Sequence, residues 1–79
     1  MTLEEVRNEI DEIETNMKPL FLRRMKCGKH VAEVKGQNGG DVYVLERELE
    51  IIGKRAMDVD PEIQEEYKTF LRHLMSLCR

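Results

Sequence analysis

The chain has 79 residues, 41% of them hydrophobic and 37% charged, with a net charge of −3. That length allows one domain, spanning 1–79, with a small core, and the acidic balance argues against nucleic acid as the main partner. No apolar run approaches membrane-spanning length, so no membrane partner is expected, and the acidic start "MTLEEVRNEI" lacks the apolar core of a targeting segment, so a cytoplasmic location is expected.

The first element is long. Apolar residues recur at Leu3, Val6, Ile10, Ile13, Met17 and Leu20, then at Cys27, Val31 and Val34. Alternating steps of three and four make a heptad seam. Thr2 can cap the start, with Glu5 three residues on as a capping-box partner. The run "GQNGGD" predicts an end near Lys35–Gly36. A helix of about 33 residues is about 50 Å long and cannot fold back on itself, so it needs a second copy. Pro19 is discordant, because an interior proline costs on the order of 3 kcal/mol. The seam holds its register from Ile13 and Met17 to Leu20, which favours a kinked continuous helix over two separate ones.

A second helix is expected from Asp41 or Val42 to Ala56, with Val42, Leu45, Leu49, Ile52 and Ala56 on its apolar face. After "MDVDPE", Asp60 makes a good N-cap and Pro61 a good first helical residue. The third helix presents Ile63, Tyr67, Phe70, Leu71, Leu74, Leu77 and Cys78 on one face. The fold class is all-α, with one long helix and two short ones. Cys27 and Cys78 make no disulfide framework; they read as reduced thiols that pack on apolar faces.

Some charges sit where apolar residues belong. Leu3, Ile10, Met17, Arg24 and Val31 share one seam position, so Arg24 is a cation in the core-facing row. A buried guanidinium needs an anion. The partner is either a carboxylate of the chain, such as Glu48, or a ligand. Lys35 follows Arg24 by 11 residues, close to three turns, on nearly the same face and about 16 Å further along. Two long cationic side chains at that separation leave room for a small dianion. Arg7 is about 25 Å from Arg24 within one chain, too far to share the ligand. In an antiparallel pair crossing near residue 18, Arg7 of the second copy lands opposite residue 29, between the two. In the second helix, Arg47 and Glu48 form a charged pair between Val44 and Ile51. Other charges, Lys18 among them, read as solvated. His30 and His73 lack companions at metal-ligand spacing and read as surface residues, so no metal is expected. No Ser/His/Asp constellation, phosphate-binding glycine loop or CxxC pair is present.

The run "VRNEIDEIETNM…FLRRM…VAEVKGQNG…VYVLERELEII…FLRHLMSLCR" resembles the all-helical class of chorismate mutases over nearly the whole chain. Four motifs in order carry the resemblance: the early Arg-x-x-Ile-Asp-like segment, the arginine at the helix centre, Ala-x-x-Lys near its end, and the Arg-Glu pair. The resemblance implies an intertwined antiparallel homodimer of three-helix chains. It implies the Claisen rearrangement of chorismate to prephenate, in aromatic amino-acid biosynthesis, without a cofactor. By position, Arg7 matches an arginine donated across the dimer to a substrate carboxylate. Arg24 matches one that binds a carboxylate within the same chain. Lys35 matches the lysine on the ether oxygen, Arg47 a further site arginine, and Glu48 the carboxylate that holds the ring hydroxyl.

The sequence departs from the pattern in places. Val44 stands where many members carry an aspartate, and Cys78 where a serine often binds substrate, a weaker hydrogen-bonding group. Members usually continue about one turn to a glutamine or glutamate near position 82, whereas this sequence ends at Arg79, so reduced activity is expected. Two other readings stand beside the mutase: a non-catalytic helical regulatory or interaction module of the same fold, and isochorismate pyruvate-lyase.

Overall fold

A computed structural model of the chain describes residues 1–38 and 45–78. Those residues form three α-helices and no strand: α1 (Leu3–Asn38), α2 (Leu45–Ala56) and α3 (Gln64–Leu77). No helix among them is long and apolar enough to cross a membrane.

The start of α1 follows from its capping residue. The Glu5 amide donates to Thr2 Oγ1 at 3.1 Å and the Val6 amide to the Thr2 carbonyl at 3.1 Å. The Thr2 side chain thereby satisfies one otherwise orphaned donor of the first turn, and its carbonyl accepts the first bond of the helix ladder. Glu4 and Glu5 in the first turn and Lys35 in the last complement the helix dipole. Pro19 lies inside α1, and the helix runs through it as a single element. The helix ends two to three residues later than the glycine signal predicts. Gly36 does not take the positive φ of a capping glycine, so it prolongs the helix instead of closing it.

The start of α2 predicted at Asp41 or Val42, together with Val44, lies outside the described residues; α2 ends at Ala56 as expected. The start of α3 is corrected. Asp60 does cap, its Oδ1 accepting the Glu62 amide at 3.0 Å, but it caps a tight turn. The Ile63 amide bonds to the Asp60 carbonyl at 3.0 Å, three residues back, and four-residue spacing begins only with Tyr67 to Ile63. Pro61 therefore belongs to the turn, and α3 proper begins at Gln64. The Gln64 side chain donates to the Ala56 carbonyl at 2.7 Å, which satisfies the end of α2 and ties the two helices together.

The core lies between α2 and α3. Ile52, Leu71 and Met75 are buried together, with Ile51 and Tyr67 against them and Ala56 buried at the end of α2. Tyr67 and Phe70 extend this face, with ring centroids 6.4 Å apart. By contrast α1 is nearly bare. Leu3, Val6, Ile10, Ile13, Met17 and Leu20 are all exposed, and among residues 3–36 Gly28 alone is buried. The longest extent of the molecule is 54 Å, the full length of a 36-residue helix. The radius of gyration is 16.0 Å, against about 12 Å for a compact domain of this size.

Charge is segregated along α1. Its first half carries Glu4, Glu5, Glu9, Asp11, Glu12 and Glu14, with Arg7 as the exception. Its second half carries Lys18, Arg23, Arg24, Lys26, Lys29 and Lys35, with Glu33 as the exception.

Candidate functional site

A groove of about 550 Å³ runs between α1 and α3, within the range of small-molecule sites. Glu14, Met17, Lys18, Leu20, Phe21 and Arg24 line it from α1, and Phe70 and Leu74 from α3. Of the predicted site residues, Arg24 alone lines this groove. It is half-buried, not enclosed as its seam position suggested, and it makes no ion pair among the described residues. The ion pair with Glu48 that its position allowed is not formed.

The other predicted residues fall elsewhere. Lys35 is half-buried, about 16 Å from Arg24 along the same face of α1. Arg7 is exposed near the start of α1, far from both. On α2, Arg47 is exposed and Glu48 half-buried. Cys78, half-buried at the end of α3, donates its thiol to Met25 Sδ at 3.5 Å. Both cysteines are free, His30 and His73 are exposed, and no three His, Cys, Asp or Glu side chains among the described residues converge on a metal-sized space.

The exposure of the cations separates them. Among the lysines and arginines of α1, Arg24 and Lys35 alone are half-buried; Arg7, Lys18, Arg23, Lys26 and Lys29 are exposed. Losing part of its hydration without gaining a counter-ion is unfavourable for a cation. Arg24 and Lys35 are thus two partly desolvated cations on one face of α1.

The groove residues Lys18, Phe21, Phe70 and Leu74 were missed as site residues by the reading of the sequence. A signal existed. Phe21 and Met25 lie off the heptad seam and widen the apolar stripe beside Arg24.

An all-helical chain with cations half-buried on its longest helix belongs to a known class: the family described as chorismate mutase type II, whose model matches residues 6–79. Among individual proteins, the chain is similar to the T-protein of Haemophilus influenzae, 31% identical over 58 residues, which is 73% of this chain. It spans only 15% of that relative's length. The search of solved structures gave no significant match.

Proposed function

We propose that the chain rearranges chorismate to prephenate, as an antiparallel homodimer in which each site draws on both copies. The observation that carries this reading is the pair Arg24 and Lys35, half-buried on one face and without ion-pair partners among the described residues, in a chain of the chorismate mutase type II family. Chorismate is a dianion, and a cation at each end of its site supplies affinity. Holding both carboxylates folds the substrate so that the reacting carbons approach, which lowers the entropic part of the barrier. One C–O bond breaks as one C–C bond forms, within one molecule and with no group lost. Charge builds on the ether oxygen as the C–O bond stretches. The Lys35 ammonium stabilises that oxygen more in the transition state than in the ground state. Arg24 binds a carboxylate, Arg7 of the second copy binds the other, Glu48 orients the ring hydroxyl, and Arg47 and Cys78 complete the pocket.

The dimer is supported by two features of α1. Its apolar seam is exposed along its length, a stripe that favours pairing with another helix. Its charges favour the antiparallel arrangement, which lays the acidic half of one copy over the basic half of the other. That crossing also brings Arg7 of the second copy between Arg24 and Lys35.

The test is the loss of chorismate's ultraviolet absorbance with purified protein, beside Arg24→Ala and Lys35→Ala. Removal of a charged group that meets the transition state costs about 3 kcal/mol, or a hundredfold or more in rate. Both variants are expected to lose at least that much while keeping the parent's helical circular dichroism. A Lys35→Ala protein as fast as the parent defeats the assignment.

A further inference from the structure

Gly28 is the one buried position of α1 between residues 3 and 36. Its burial comes from the end of α3. A Cβ built on Gly28 would lie 2.5 Å from the Cys78 carbonyl oxygen, 3.2 Å from Cys78 Cβ and 3.4 Å from the Cys78 carbonyl carbon. The nearest of these atoms is backbone, so a rotamer change cannot relieve the overlap. One turn earlier on the same face, Met25 accepts the Cys78 thiol at 3.5 Å. The Cys78 amide is itself anchored to the Leu74 and Met75 carbonyls, both at 3.2 Å. The last turn of α3 is thus seated on α1 at a spot where only a residue without a side chain fits.

That spot lies between the two half-buried cations. On an α-helix, Arg24, Gly28 and Lys35 point within about 40° of one another, with Gly28 about 6 Å beyond Arg24 and about 10 Å short of Lys35. We infer that Gly28 is a positioning residue: its bare backbone seats the C-terminal turn of α3 on α1 as a wall of the site that Arg24 and Lys35 flank. The inference rests on the proposed mutase reading for its catalytic consequence and on the packing alone for the seat.

The other described glycines supply the control. Gly53 in α2 has nothing within 4 Å of a built Cβ. Alanine is a better helix former than glycine. A glycine that merely weakens its helix is therefore improved by Ala, whereas Gly28→Ala must push the end of α3 away. The experiment uses the full chain carrying Cys27→Ser, so that Cys78 is its sole thiol. The parent, Gly28→Ala and Gly53→Ala are compared for the rate of Cys78 alkylation by iodoacetamide and for kcat and KM with chorismate. In Gly28→Ala, alkylation is expected to rise about threefold or more as Cys78 leaves Met25. There kcat falls about tenfold or more, because a displacement of an ångström is enough to misplace a group at the reacting atoms. KM changes little, since Arg24 and Lys35 stay on α1. Gly53→Ala matches the parent in both. Alkylation unchanged in Gly28→Ala overturns the seat; faster alkylation with undiminished kcat overturns its catalytic role. If Gly28→Ala loses helical signal, Met25→Ala takes its place in the alkylation assay: with the side chain over the thiol removed the rate should rise, and an unchanged rate overturns the seat of Cys78 on α1. A parent that leaves chorismate untouched overturns the mutase reading, and alkylation still decides the seat.

Discussion

Replacing Ile13 with Ala probes the exposed seam where it is cleanest to interpret. Ile13 is 50% exposed in the single chain. The substitution removes three carbons, each contributing about 0.8 kcal/mol when buried. Half of that burial is already present, so pairing adds roughly 1.2 kcal/mol per chain. A two-fold interface uses the residue twice, so the dimer loses roughly 2.4 kcal/mol, a weakening of Kd by about fiftyfold. Alanine is the stronger helix former, so the isolated helix is not weakened by the change. Sedimentation equilibrium reads the dissociation directly, and specific activity over a dilution series reads it independently. Ile13→Ala should reach the parent's kcat at high protein concentration and fall away from it at a concentration about fiftyfold higher than the parent does. A Kd within about threefold of the parent's, or a specific activity indifferent to dilution in both proteins, would refute the reasoning.

Two further outcomes follow from the same arrangement. Arg7→Ala and Arg24→Ala should each be nearly inactive, yet an equilibrated equal mixture should regain about a quarter of parental activity, since half the dimers are mixed and each mixed dimer holds one intact site; a mixture no more active than its components would place both arginines in the same chain's site. Leu71 is 7% exposed in a core where, among the described residues, the other large buried side chains are Ile52 and Met75, so Leu71→Ala should cost about 2–5 kcal/mol and abolish cooperative thermal unfolding by circular dichroism; a transition within a few degrees of the parent's would show that the α2–α3 contact is not the core.

The helices were legible where periodicity and caps agree. The seam and the Thr2 cap define α1, and the unbroken register across Pro19 correctly implied one continuous helix. Ile52 and Leu71 were legible as core from their spacing, but Met75, one turn after Leu71, was not singled out. The start of α3 was misplaced because an Asp-Pro pair caps a tight turn as readily as a helix, and the choice lies in hydrogen bonds made further on. The seam pointed to Cys27, which is exposed in the single chain like the rest of the seam, and passed over its neighbour Gly28, which is buried. A hydrophobic pattern is written in side chains, so a position buried because it lacks one leaves no mark. The sequence offered a set of cations as the candidate site, and burial separates Arg24 and Lys35 from the rest of those on α1. The groove beside Arg24 was not, because Phe70 and Leu74 reach it through the tertiary path of the chain.

The segregation of charge along α1 bears on kinetics as well as on the final arrangement. With acids over one half and bases over the other, α1 behaves as a rod of unlike ends some 54 Å long. Two such rods feel each other's polarity once they come within the screening distance of about 8 Å at physiological salt, before any side chains touch. In the proposed dimer, a parallel approach is turned away and an antiparallel one is drawn in, so orientation is selected during the encounter rather than by trial after collision. On the proposed pairing, the apolar seam, which attracts equally in either direction, has only to hold what the field has already aligned.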